Sequence, residues 1–274
     1  MTAPTQAHDG ATGAITRAPR KPAPTAFTVI GLAAVLLITL WAGAGIDFTL
    51  APLIHDLTRG EEVLRQFVPN WSFLGRDAVI TASLTTLYMA IISSVIGCAV
   101  AMVVALLASK VSAPNAVVYQ VAKAVMSAVR SLPDVAYGLL FVAFVGTGAL
   151  GGMAALIMFN IGVAAKLTAE SIDAVDPGPI EAVEAAGGNR IQRAFTAIIP
   201  QVAPNYFSYC FYVFELNLRA SLVIGVVGGG GIGQTIMTEL ARFNYDNISA
   251  VIVLFIVVVF VLDRVSRAIR RRLT

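Results

Sequence analysis

The chain has 274 residues, of which 57% are hydrophobic and only 13% charged, and its mean hydropathy is +0.80. A soluble domain of this length carries about 25% charged residues, so the composition excludes an ordinary water-soluble globule. The formal net charge of +3 is not gathered into a basic nucleic-acid footprint. It follows the pattern of a membrane topology instead. The apolar residues fall in blocks near the length of about twenty needed to cross about 30 Å of hydrocarbon. They lack period-two alternation, so the fold class is all-α: a polytopic transmembrane helical bundle of about six spans.

Residues 1–25, rich in Ala, Thr and Pro with Arg17, Arg20 and Lys21, read as a disordered cytoplasmic tail. Residues 26–45 form the first span. A cleaved signal peptide is the rival reading, against which the run exceeds an h-region of about 7–15 residues. A polar extracytoplasmic loop then extends to residue 77, with Trp71 and Phe73 as candidate interfacial anchors. Residues 78–108 make a long span. Over 115–131, Val118, Val121, Val125 and Ala128 recur at helical spacing, with Gln120, Lys123, Ser127 and Arg130 on another face. This is an amphipathic helix, closed by Pro133. Residues 134–149 and 152–169 read as two spans about a glycine-rich turn. Residues 170–203 are a polar insert. The fifth span covers 204–227, a glycine-rich loop 228–247, and the sixth span 248–263, ending in Arg264, Arg267, Arg270, Arg271 and Arg272. The permease body runs over 78–268, with 269–274 as a basic tail.

Both termini on the cytoplasmic side place 14 of the 19 Lys and Arg residues inside, which fixes the expected orientation and puts the insert in the cytoplasm. Cys98 and Cys210 lie in apolar blocks and read as small buried side chains. His8 and His55 lie outside the spans, and no metal-ligand spacing is present.

Within the insert, Asp176 suits an N-cap and Pro177 the first helical position. Glu181 and Glu184 follow, and Gly187-Gly188-Asn189 ends the helix. A second helix opens at Arg190 and Arg193 and is interrupted by Pro200 and Pro204. In the fifth span, Glu215 and Arg219 are four apart and carry charges that lipid penalises, so they are functional candidates by default. They either line a pathway, with Arg219 guiding an anion, or pair with each other. Asn217 points elsewhere, towards a neighbouring helix. Gly228, Gly230 and Gly233 match Gly-x-Gly-x-x-Gly, yet no strand precedes them, so a dinucleotide site is excluded. The glycines are expected to break the helix and let backbone pack closely, near an outer gate or the binding-protein dock, and Pro133 either kinks an inner gate or simply opens a helix.

Three segments carry a resemblance. Glu181-Ala182-Val183, then three residues to Gly187, then nine to Ala197-Ile198-Ile199-Pro200, resembles the cytoplasmic signature of ATP-binding-cassette importer permeases. The literal Glu184-Ala185-Ala186 string is out of that register, and Val183 and Ala197 are mild departures. Arg130-Ser131-Leu132-Pro133, the run from Glu170 to Pro179, and Phe214 to Ser221 followed by Gly228 to Gln234 are similar to phosphonate importer permeases. The resemblance covers about residues 78–265.

It implies that Asp176, Pro177, Glu181, Ala182, Glu184, Gly187 and Pro200 couple to an ATPase, with the small Ala182 and Gly187 permitting close approach. It further implies Glu215, Asn217, Arg219 and Ser221 on a substrate pathway, and Pro133, Gly228, Gly230, Gly231 and Gly233 at gates. The implied assembly is a homodimer in lipid with two ATPase subunits and an extracytoplasmic substrate-binding protein. No nucleic acid takes part, and no cofactor sits in this chain; ATP and magnesium belong to the partner ATPase. The implied cargo is phosphonate, phosphite or phosphate, or failing that another small solute. No Gly-x-x-x-x-Gly-Lys-Ser/Thr loop occurs in the sequence, so the chain is not expected to be an enzyme. A membrane-embedded enzyme would need a converging catalytic set that is not seen. A channel or secondary carrier would need no docking insert.

Overall fold

The computed structural model describes residues 25–49, 51, 55 and 57–271. The expected tail over residues 1–24 and the last three residues of the basic C-terminus lie outside the described residues. The chain divides into two compact units, one up to Thr58 and one from Arg59. In the first, α1 (Ala26–Gly45) is a 20-residue apolar helix, about 30 Å long at 1.5 Å per residue and therefore span-sized.

The unit boundary falls within the first turn of α2 (Leu57–Gln66), and α3 (Trp71–Leu74) follows in the second unit. Phe73 is buried within this unit. It is 4% exposed and packs with Val79, Ile232 and Val251. The long helix α4 (Asp77–Leu107) follows, then α5 (Ala116–Ser131) and α6 (Asp134–Val145). The stretch 134–149 is not a straight span: α6 has only 12 residues, about 18 Å. It forms a pair with α5 bent by 88°. Pro133, extended at ψ 153°, explains the bend, because a helix cannot continue through the residue before a proline without a clash. Among the described residues five helices are long and apolar enough to cross a bilayer, and the bent pair makes six if it crosses as one broken span.

Helix α7 (Ala149–Asp173) runs parallel to α4. Serine and glycine let the two backbones close up: Asn160 Nδ2 donates to Ser93 O at 2.9 Å, and a Cβ on Gly97 would sit 2.5 Å from Asn160 Cβ. Buried Ala101, Ala105, Ala164 and Ala165 extend the same seam. Small residues at a helix crossing are what a bundle in lipid needs, since van der Waals packing is the main attraction left there.

The insert holds α8 (Pro177–Ala185) and α9 (Arg190–Arg193), and a π-turn at Ala194–Ile198 joins α9 directly to α10 (Ile199–Ile224). The expected interruption at Pro200 and Pro204 is absent. Pro200 falls in the first turn of α10, where its missing N–H costs little, and Pro204 is carried inside the helix. The wider π-turn absorbs the change of register. A second π-turn at Gly225–Gly229 leads into α11 (Gly231–Ala241), so the expected glycine-rich loop is mostly a short helix. The final helix, α12 (Tyr245–Arg270), runs on past the expected end of the sixth span through Arg264, Arg267 and Arg270.

Candidate coupling and permeation sites

The insert is a rigid helix–turn–helix. Asp176 Oδ1 accepts from the Gly178 N–H at 3.0 Å, with Pro177 in the first turn. The helix ends in paired turn bonds, Gly188 N–H to Val183 O at 2.9 Å and Gly187 N–H to Glu184 O at 3.0 Å. That pairing needs a left-handed residue, and Gly187 supplies φ +77°. Nothing lies within 4 Å of a Cβ built there, so within this chain Gly187 serves backbone conformation rather than close approach. Asn189 then caps α9 in a reciprocal box with Gln192, at 2.9 and 2.8 Å.

Several residues that the signature does not name brace this unit. Ile180, 8% exposed, and the buried Ala197 and Ile198 anchor it among the small residues of α4 and α7. Gln201 exchanges bonds with the Asp176 backbone, at 3.0 and 3.3 Å. Asp173 Oδ1 accepts from Ser109 Oγ at 2.6 Å and the Lys110 N–H at 2.8 Å. Arg193 pairs with Glu184 and reaches Val111 O at 3.3 Å, while Arg190 donates to Pro114 O. The link between α4 and α5 is thereby tied to the insert. Only the alternation of Asp, Gln and Arg around the prolines hinted at this in sequence.

The opposite surface is open. Glu181, Ala182, Glu184 and Gly187 are exposed, as are two large apolar side chains of α9 and the turn after it, Ile191 at 70% and Phe195 at 66%.

On α10 the charged candidates separate. Glu215 is buried and pairs with Arg270 at the last turn of α12, whereas Arg219 pairs with Asp263 at 3.2 Å and its side chain is 55% exposed. They do not pair with each other. Their partners are set by where α12 ends, which spacing along α10 cannot reveal. Both stand level with the arginine-rich end of α12. Asn217 is fully buried and donates to Ser94 Oγ of α4 at 2.7 Å. Ser221, also buried, donates to Leu218 O of its own helix at 2.8 Å.

At the far end of the bundle the glycines bring backbones together. Gly228, Gly230 and Gly231 have φ of 98°, 85° and 69°. Gly148 N–H donates to Gly228 O at 2.8 Å, and Ile232 N–H donates to Thr86 Oγ1 at 2.8 Å. A Cβ on Gly233 would lie 2.0 Å from Leu222 O. Nearby Glu239 is buried and accepts from Asn244 at 2.9 Å and Asn247 at 2.8 Å. Burial pushes its carboxyl pKa up, but the amides of Asn247 and Asn244 and the charges of Arg242 and Arg76 outweigh this and leave it below the usual carboxylate value. No group of three or more metal-ligating side chains occurs among the described residues.

A polytopic helical bundle with a braced helix–turn–helix presented at one end defines a transport permease. Residues 101–274 match the family of binding-protein-dependent transport system inner membrane components, and the chain belongs to that family. It is 35% identical over 237 residues to the phosphite transport system permease protein PtxC of Stutzerimonas stutzeri, covering 86% of this chain and 85% of that protein. It is 34% identical over 209 residues to the phosphate-import permease protein PhnE of Mycolicibacterium smegmatis, covering 76% of this chain but 39% of that longer protein. The putative cryptic phosphonate transport system permease protein PhnE2 of Escherichia coli K12 is 40% identical over 119 residues, 43% of this chain and 98% of that one. Among solved structures, the inward-facing methionine ABC transporter MetNI superposes with a TM-score of 0.65 at 21% identity, covering 72% of this chain and 96% of that one. A bacterial alginate ABC transporter gives 0.60 at 17%, covering 89% and 95%. At these identities the structures share the fold.

Proposed function

We propose that this chain is the membrane permease of an importer for a phosphorus oxyanion (phosphonate, phosphite or phosphate), driven by a separate ATPase that docks on the α8–α9 insert. The carrying observation is the open face of that insert. Ala182, Glu184 and Gly187 of α8 and its end are exposed, as are the apolar Ile191 and Phe195 of α9 and the turn after it, on an element otherwise braced by side-chain bonds. Exposed apolar side chains on a rigid polar element mark a protein contact. The bracing supports a rigid lever: movement of α8 would pass through Gln201 to α10 and through Arg190 and Arg193 to the α4–α5 link. The names of the most similar relatives support the cargo class, and the chain itself supplies the arginines an anion requires.

In this reading the permease works as a homodimer with two ATPase subunits and an extracytoplasmic binding protein. ATP and magnesium are held by the ATPase, and both termini and the insert face the cytoplasm. Orientation follows from the basic bias and is checked by single-cysteine labelling, at Asn189 from the cytoplasm and at Thr58 from outside, in a background without Cys98 and Cys210. The reverse pattern would invert the topology.

The deciding experiment is Gly187→Trp with uptake in reconstituted vesicles. Membrane insertion is expected to persist while ATPase co-purification and uptake are lost; wild-type co-purification and uptake would remove the insert from coupling. For the pathway, Arg219→Gln is expected to abolish uptake with assembly and basal ATP hydrolysis retained, and Glu215→Gln to slow turnover. Full uptake in the double variant would remove both residues from the path.

A further inference from the structure

The two cysteines of the chain are far apart in sequence, and both are free thiols. The crossing of α4 with α10 brings them together. Cys98 is 3% exposed in the core seam, and the half-buried Cys210 packs against that seam. The two thiols interact directly, and Cys210 also meets the Tyr206 hydroxyl. Neither cysteine serves the insert, the charged pairs of α10 or the glycine end.

A second observation lies beside them. A cavity of about 550 Å³ opens between the same two helices, and both cysteines line it. Its other walls are mostly aliphatic and aromatic, from Val95 and Ala99 on α4 to Phe207 and Phe211 on α10, and no charged side chain lines it. Such a chamber admits a small uncharged molecule and turns away an ion, because a charge moved into an apolar site without a partner loses its hydration and gains nothing in return. The sulfurs are therefore open to neutral oxidants and closed to anionic reductants such as glutathione.

We propose that Cys98 and Cys210 form a modification site, at which an uncharged peroxide makes a disulfide between α4 and α10. The less buried Cys210 reacts first. Its sulfur takes one oxygen from the peroxide, releasing water, and becomes a sulfenic acid. The Cys98 sulfur then attacks it, forming the S–S bond and releasing a second water. The two thiols together lose two electrons, the peroxide gains them, and both thiol hydrogens end in the two waters. A resolving thiol already in contact favours the disulfide over further oxidation of Cys210. The bond would join the two helices that meet the insert, α10 directly and α4 through the link held by Arg190 and Arg193. It would lock them at one relative position. That consequence rests on the proposed coupling role of the insert; the disulfide itself does not.

The test treats the full chain in phosphatidylcholine nanodiscs with hydrogen peroxide and counts thiols after denaturation. Wild type is expected to fall from two reactive thiols to none, and peptide mapping without reductant to show the Cys98 and Cys210 peptides linked. Dithiothreitol, an uncharged dithiol, should restore both thiols in the folded protein, whereas glutathione should do so only after denaturation. In Cys98→Ala, dimedone should trap a sulfenic acid at Cys210; in Cys210→Ala, Cys98 should stay unlabelled. Should an alanine variant fold poorly, Cys98→Ser and Cys210→Ser carry the comparison. Two thiols retained after treatment, a link between two copies of the chain, or equal reduction by glutathione in the folded protein would overturn the proposal. In vesicles with the ATPase, oxidised wild type should lose uptake and regain it with dithiothreitol, and peroxide-treated Cys210→Ala should keep it. Uptake unchanged by a disulfide shown to be present would overturn the lock, while Gly187→Trp tests the insert separately.

Discussion

The two ends of the bundle are both polar interruptions between apolar helices, and they are built oppositely. At the insert end the sequence works through side chains. Caps, Gln201, Asp173 and two arginines hold α8 and α9 against the helix ends, and one face stays open. At the glycine end it works through backbone. Side chains are removed so that α7, α10 and α11 meet at main-chain distance. The contrast teaches that a polar element left open on one face keeps side chains outside and bonds inside, whereas a turn buried among helices gives up its side chains to satisfy its own backbone.

Five substitutions at four positions sharpen this comparison. The largest effect is expected at the glycine end. Gly233→Ala places a Cβ against the Leu222 carbonyl at 2.0 Å and should cost about 3 kcal/mol, seen as a lower melting temperature and loss of monodisperse protein in detergent. A tolerated alanine there would show that the backbone contact is not required. At the insert end, Gly187→Val meets no neighbour but must adopt φ +77°. It should cost about 2 kcal/mol, locally, with Gly187→Asn costing less. Hydrogen exchange over α8 and α9 reads this effect, and protection equal to wild type would deny the turn its role.

Removal of the cap by Asp176→Ala should cost about 1 kcal/mol and raise exchange in the first turn of α8 alone. The smallest effect concerns pH. Glu239 has a lower pKa folded than unfolded, so its contribution is complete above the usual carboxylate value and is lost as pH falls through the lowered folded value. Glu239→Gln should therefore lower stability at neutral pH while changing little below the lowered folded value, and so flatten the acid limb of the stability profile. An unchanged acid limb would place the titrating group elsewhere.

The sequence by itself determined the class, the place of most spans and the insert. Hydropathy over twenty residues is a local property, and so are the Asp176–Pro177 start and the Gly187 stop of α8, whose physics is contained in neighbouring residues. The match of the Glu181–Gly187–Pro200 spacing was legible for the same reason. Tertiary structure alone decided what depends on where helices end and cross. The bend at Pro133 turned an expected straight span into a broken pair. A π-turn carried the chain through Pro200 into α10. The length of α12 put Arg270 beside Glu215 and Asp263 beside Arg219, although Glu215 and Arg219 are neighbours along their own helix. A charge in a bundle takes its partner from the helix packed against it, and that choice is made by packing over the whole length of both helices.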